Sequence, residues 1–535
     1  MIPSPYTVPA IIVVTLATVA IGAYGLRLAR TTSDFLVASR SVSPTWNAAA
    51  IGGEYLSAAS FLGVAGLVLK FGVDVLWYPV GFAAGYLALL LFVAAPLRRS
   101  GAFTLPDFCE LRLRSRRLRK LATAFVVFIG WLYLVPQMQG AGLTLNTVTG
   151  GSYLWGVLLV GVLVTASVAL GGMRSITFVQ AFQYWLKLTA LAVPVMFLLM
   201  AWQSSERAQI SDPVFPHDTT VVIQHPVQLD GVTVPAGREL HFERGDPVPR
   251  VDAVRRNDGI AWLVPGGQGL FATYSLILAT FLGTMGLPHV LVRFYTNPDG
   301  SAARRTTLVV LALVGTFYLF PTLYGVLGRI YTPQLLMTGK TDAVVLLLPG
   351  AVLGNGVLGQ LLGALVAAGA FAAFLSSSSG LLTSVAGVLS TDVLGRGSVR
   401  DFRLSAIVAG AVPMLLSASV SGLDVSQVVG MAFAVAASSF CPLLVLGIWW
   451  RGLTDVGAAA GILAGGGAAI SAVLLTVAGF DAPGWATVLI GQPAAWTVPL
   501  AFTVMVVVSL ATRHRLPPTV STTMLRLHAP DTLRL

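Results

Sequence analysis

The chain has 535 residues, 56% of them hydrophobic and only 10% charged, with a mean hydropathy of +0.81. Soluble globular proteins carry about 25% charged residues, so the polar side chains here cannot cover a water-facing surface, and a string of soluble domains is excluded. The net charge of +11 suggests a nucleic-acid partner, but the cations sit in short connections between apolar runs, where membrane topology puts them; the expected partner is a lipid bilayer, with no nucleic acid.

A helix needs about 20 apolar residues to cross the hydrocarbon core. Thirteen runs qualify, at roughly 8–28, 44–70, 73–97, 119–148, 152–171, 176–202, 266–288, 304–330, 351–390, 402–421, 424–450, 455–478 and 490–512. The expected fold class is therefore all-α integral membrane. The first arginine, Arg27, follows the first run, whereas a secretory signal carries its charge before it. The first helix is thus expected to be retained, with the N-terminus outside, the C-terminus cytoplasmic and the chain multi-pass in the cell membrane. The other cations then alternate as topology requires: Arg30 and Arg40, Arg98 to Lys120, Arg174, Arg293 to Arg305, Arg396 to Arg403, Arg451, and Arg513 with Arg515 all fall inside.

Between the sixth and seventh runs lies a polar stretch of about 60 residues, 203–262, with nine acidic residues and six arginines. Val221-Val222-Ile223 and Gln228 to Val234 alternate as a short β-hairpin would. His217, His225 and His241 read as surface histidines rather than a metal site. The remaining histidines, His289, His514 and His528, are also expected in loops or the tail, so none is available for an intramembrane haem or metal. Cys109 and Cys441, the only cysteines, suggest neither a disulfide nor a metal site. No Walker A pattern occurs, and the tail after the last run is expected to be too short for a signalling domain. The chain reads as a gradient-driven transporter, not an enzyme, without cofactors.

Two features point at a site. The run at 44–70 holds Gly52-Gly53, Gly63 and Gly66, and the run at 266–288 holds Gly283, Gly286 and Pro288. Five runs separate them, as in a transporter whose inverted repeats each open with a discontinuous helix. Glycines also serve helix packing in membranes, and both readings stand. The second feature is Ala373-Phe374-Leu375-Ser376-Ser377-Ser378-Ser379-Gly380. Such hydroxyls suit a hard cation, and they equally suit hydrogen bonding between helices.

Four stretches carry a family resemblance: Gly52 to Gly63 (Gly-Gly-Glu-Tyr-Leu-Ser-Ala-Ala-Ser-Phe-Leu-Gly), Gly171-Gly172-Met173-Arg174-Ser175, Gly286 to Phe294 (Gly-Leu-Pro-His-Val-Leu-Val-Arg-Phe), and Ala373 to Gly380. With them the chain, from about residue 30 to 515, resembles the sodium/solute symporter family, most closely its acetate and monocarboxylate permease branch. The resemblance implies a five-plus-five inverted-repeat core of the LeuT type, sodium as the coupling ion and a small monocarboxylate, such as acetate, propionate or pyruvate, as substrate. The expected organisation is an extra helix and loop at 1–43, a first repeat at 44–202, an outer loop at 203–265, a second repeat at 266–450, and two helices with a tail at 451–535. Carried over residue by residue, the sodium ligands are the carbonyls of Gly53, Leu56 and Ala373 and the hydroxyls of Ser376 and Ser377. Many members have an acid where this chain has Gln180; the acetate branch has glutamine there. Glu54 replaces the branch's aspartate, and the outer loop is larger than in the family. Glu54 and Gln180 are candidates for coupling.

Half-helix N-termini at the two breaks suit a carboxylate. Ser57 and Ser60 on one broken helix and Thr280 and Thr284 on the other are candidate lining residues, each equally readable as a packing hydroxyl. Lys187, the only lysine deep in a run, cannot snorkel to either interface and is costly to bury alone. Three roles suit it: an ion pair with Glu54, an anchor for the substrate carboxylate, or a proton carrier. Symport of another solute, such as an amino acid or sugar, with sodium or protons, and a receptor without turnover, remain alternatives.

Overall fold

In hydrocarbon every backbone polar group must bond within the protein, and the apolar runs are accordingly helical. The computed structural model describes residues 4–26, 42–204, 213–223, 226–251, 262–264, 269–354, 356–395, 398–417, 423–480 and 484–529. The expected topological charges Arg27, Arg30, Arg40 and Arg396, and His225 of the loop, lie outside the described residues.

The helices are α1 (Thr7–Leu26), α2 (Pro44–Tyr55), α3 (Val64–Phe71, entered by a π-turn at Ala59–Gly63), α4 (Trp77–Ala88, continued helically to Ser100) and α5 (Leu105–Leu113). The order continues with α6 (Arg116–Thr149), α7 (Tyr153–Ser204), α8 (Leu270–Gly286), α9 (Pro288–Phe294), α10 (Gly300–Tyr331), α11 (Val344–Leu353), α12 (Val357–Val388), α13 (Val399–Leu416) and α14 (Val425–Trp449). It closes with α15 (Asp455–Gly461), α16 (Gly467–Val477), α17 (Ala494–Ala511) and α18 (Val520–His528). Among the described residues, ten helical stretches are long and apolar enough to cross a membrane, or eleven with the bent pair α8–α9. Two of the thirteen expected runs do not qualify alone, for physical reasons. The run at 44–70 is split into α2 and α3, and α3 runs on into the next span. Helix α13 carries Arg400, Asp401 and Arg403 in its first turns. The runs at 152–171 and 176–202 lie within one continuous helix, α7.

The core is laid out around α12, which packs against α7, α6 and α1, while α8 packs against α14 and α4 and α2 lies against α7 and α10. Helices α2, α8, α12 and α14 thus surround the centre of the molecule, and their facing residues are almost wholly buried.

On one side lies the loop between α7 and α8. A hairpin of β2 (Val227–Leu229) and β3 (Val232–Val234) turns at Asp230 and Gly231, both at positive φ (48° and 78°), as an Asp-Gly turn favours. The expected strand at Val221-Val222 pairs instead with a more distant one: β1 (Thr219–Val222) is antiparallel to β4 (Glu239–Phe242). Trp262 plugs the end of this loop into the bundle. Its Nε1 donates to Leu69 O (3.3 Å), the Arg329 guanidinium lies 4.8 Å above its ring, and it abuts Gly72, whose φ of +66° no bulky residue adopts easily. On the opposite side, Arg119 gathers Asp107 (2.6 Å), Glu110 (2.7 Å) and Asp392 (2.5 Å), tying α5, α6 and the end of α12 together.

Candidate functional site

Two helix breaks meet at the centre. The second is written into the sequence. A residue before proline is pushed out of the helical region, and Leu287, at φ −70° and ψ 117°, is extended; Pro288 then starts α9, and the axes bend by 43°. The first break has no proline. Helix α2 stops at Tyr55 and the helix resumes after Leu56 and Ser57. Gly53 lets it run close to α7, since a Cβ there would stand 2.2 Å from Gln180 O.

Interrupting a helix orphans carbonyls at its end and amides at its resumption. Here several of them are claimed by named side chains. Ala58 N, the first amide of the outer half, donates to the Gln137 side chain (2.9 Å). Glu54 O accepts from Ser377 Oγ (2.5 Å). Gly53 O accepts from Ser376 Oγ (2.6 Å) and from Lys187 Nζ, which also donates to Leu56 O (2.7 Å) and Ser376 Oγ (2.9 Å). Ser376 Oγ lies 3.1 Å from Ala373 O. The five residues that the resemblance assigns to an ion therefore come together. Three of them, Gly53, Leu56 and Ser376, surround the Lys187 ammonium; Ala373 stands one hydrogen bond further out, through Ser376 Oγ, and Ser377 bonds the neighbouring Glu54 O.

Lys187 is fully buried, and its expected pairing with Glu54 is not what forms. The Glu54 carboxylate is taken by Arg293, whose Nε donates to Glu54 Oε2 at 2.6 Å. Arg293 also donates to Thr177 Oγ1 (2.8 Å) and to Gln180 Oε1, and Gln180 Nε2 donates to Ser376 O (2.8 Å). Gln180 thus bridges the ion pair to the serine run. The packing is tight: a Cβ at Gly380 would meet Glu54 Cδ at 2.0 Å. Two basic side chains, Lys187 and Arg293, and one acidic side chain, Glu54, are buried around the break, and Arg293 pairs with Glu54.

Directly beside it, on the loop side, is a cage of rings that sequence reasoning missed. Tyr55, Phe82, Tyr86, Tyr133, Tyr318 and Phe433 pack mostly edge-on or tilted, with Phe82 stacked on Tyr318, at ring-centroid distances of 4.7–6.2 Å. Three phenols are engaged: Tyr55 with Thr284 (2.9 Å), Tyr318 with Ser60 (2.8 Å) and Tyr133 with Ser57 (3.3 Å). The Tyr86 hydroxyl is buried without a partner among the described residues, whereas buried polar groups are usually satisfied. Three of the four predicted lining hydroxyls, Ser57, Ser60 and Thr284, border the cage, whereas Thr280 turns back onto Leu276 O (2.8 Å) and packs on Gly81. His289, expected in a loop, is buried in α9 with its ring 5.2 Å from Tyr133; Pro288 opens a helix there instead of ending one. Above the cage, a cavity of about 370 Å³, lined by Leu67, Tyr78, Ser275, Asp424 and Met431 among others, opens on the loop side. Tyrosines in apolar runs were the signal available for the cage, but no spacing rule links four of them on four helices.

A model of the sodium:solute symporter family matches residues 35–465. A monocarboxylic acid transporter of Corynebacterium glutamicum is 31% identical over 518 residues, covering 89% of this chain and 86% of its own. An uncharacterised symporter of Bacillus subtilis, YwcA, is 30% identical over 495 residues (90% and 89%). Among solved structures, a Na+-coupled sialic acid symporter in a substrate-bound outward-open state superposes with a TM-score of 0.68 at 14% identity, covering 95% of this chain and 97% of that one. Mhp1, a nucleobase-cation-symport-1 family transporter, reaches 0.51 at 15% identity (92% and 98%). These likenesses establish a shared transporter fold.

Proposed function

Because the chain belongs to the sodium:solute symporter family, we propose that it is a symporter importing a small monocarboxylate of the acetate, propionate or pyruvate type together with sodium. The observation that carries the substrate class is the nearness of the Tyr86 hydroxyl, without a hydrogen-bond partner among the described residues, to Lys187, a second buried basic side chain at the neighbouring break that bonds only neutral oxygens. A carboxylate answers both: it accepts from phenols and offsets the charge, while its short apolar tail lies against Phe82 and Phe433. A neutral sugar answers only the first. The similarity to a monocarboxylic acid transporter supports the same class.

In this reading sodium is held by the oxygens of Gly53, Leu56, Ala373, Ser376 and Ser377. Such a site is made of neutral oxygens, binding a cation strongly enough to enter and weakly enough to leave. Sodium steadies the break between α2 and α3, the cage receives the carboxylate from the cavity on the loop side, and the inner halves α2 and α9 then part to release both. Glu54 and Arg293 link these halves, so their pair is the natural register between the two repeats.

Uptake of labelled acetate into proteoliposomes tests the proposal. Accumulation should require an inward sodium gradient and be competed by propionate and pyruvate. Competition by amino acids or sugars instead would reject the substrate class, and uptake driven by a proton gradient alone would reject sodium.

A further inference from the structure

The oxygens assigned to sodium and the bonding partners of the buried lysine coincide. An ammonium has three donors and no acceptor, and the three donors of Lys187 meet Gly53 O, Leu56 O and Ser376 Oγ. Its coordination is complete, and the side chain is fully buried. We propose that the Lys187 ammonium and a sodium ion are alternative occupants of one set of oxygens, so that sodium enters only as Lys187 is displaced.

The geometry leaves no room for both. A sodium ion on Gly53 O and Leu56 O would sit where the nitrogen is, and two like charges in contact in a low-dielectric interior repel strongly. The competition is also unequal. Lys187 is tethered to α7 and held in place by the packing, so its ammonium is always close to the site, and free sodium must outcompete a bound intramolecular cation. The lysine therefore sets the ion's apparent affinity, and it keeps the unwound carbonyls satisfied whenever sodium is absent. The displaced ammonium needs an anion, because Arg293 already occupies the Glu54 carboxylate. A carboxylate in the adjoining cage supplies one. This last step rests on the monocarboxylate reading: substrate and sodium then favour each other's binding through the lysine that moves between them.

The test needs no transport. The purified full-length protein is titrated with sodium chloride against choline chloride at constant ionic strength, and its thermal stability is followed. For Lys187→Met, which removes the competitor, half-saturation should fall about tenfold or more below wild type, as expected when a site occupied by an internal rival about nine-tenths of the time is freed. Unchanged or weaker sodium binding in Lys187→Met overturns the proposal. Should that variant fail to fold, the wild-type protein decides. Reductive methylation of Lys187, read by mass spectrometry, should rise with sodium and rise further with added acetate; modification independent of sodium overturns the proposal. A rise with sodium that acetate does not enhance preserves the shared site and removes only the step that depends on the carboxylate.

Discussion

The two helix breaks at the centre of this molecule look alike in outline and differ in what holds them. The break at Leu287 is fixed by covalent structure, since Pro288 imposes it through local sterics. The break at Leu56–Ser57 has no such cause. It persists because Gln137, Ser376, Ser377 and Lys187 satisfy the backbone groups it exposes. One break is a permanent feature, and the other depends on its ligands. A transporter needs at least one element with two arrangements of similar energy, and the break whose bonds are supplied by side chains can answer to a ligand that competes for them.

Four experiments can break or sharpen that contrast. The largest effect is expected at the pair joining the two inner halves. Glu54→Gln leaves Arg293 as an unpaired buried cation and should cost about 3–5 kcal/mol of stability, visible as a large drop in melting temperature and loss of uptake. Combining it with Arg293→Met should recover much of that loss, and a double variant no better than the single one would mean the pair is not the link. Next, Ser376→Ala removes a hydroxyl that touches both Gly53 O and the ammonium. It should cost about 1–3 kcal/mol and raise the sodium concentration for half-maximal uptake; a normal sodium dependence would place the ion elsewhere.

A smaller effect should follow at the cage. Tyr86→Phe deletes a hydroxyl with no partner among the described residues, so stability should hold or rise slightly. The KM for acetate should rise about tenfold, the value of one hydrogen bond to a charged group. An unchanged KM would show that the carboxylate does not reach Tyr86. The smallest effect is expected at the covalent break: Pro288→Ala should shift stability by on the order of 0.4–1 kcal/mol while leaving sodium half-saturation within about twofold. A large change in sodium response there would erase the distinction between the two breaks.

The sequence made the two breaks readable for different reasons. Pro288 after Gly286 marks its break by a rule of local geometry. Gly52-Gly53 marked only the neighbourhood of the other, where the family resemblance, rather than spacing, singled out Gly53 and Leu56. The long apolar runs were legible because each contains its own cause. The partners of Lys187 and Glu54 were not. Lys187 bonds to residues 131, 134 and 189 positions away, and Arg293, read first as a topological charge, reaches Glu54 across 239. Burial of a lysine announces that a partner exists, and only the packing of α2, α7 and α12 says which. The cage was hidden for the same reason, because its four phenols come from four different helices.

The place of Lys187 has an electrical consequence. Its ammonium lies deep in the bundle, within the stretch where the membrane potential falls. Moving one elementary charge fully across that potential is worth about 2.3 kcal/mol per 100 mV. Any excursion of the ammonium along the membrane normal carries part of that charge through the field, so the occupancy of the break between α2 and α3 is itself sensitive to voltage. In a polarised cell, an interior-negative potential acts on this built-in charge as it does on any cation in the field.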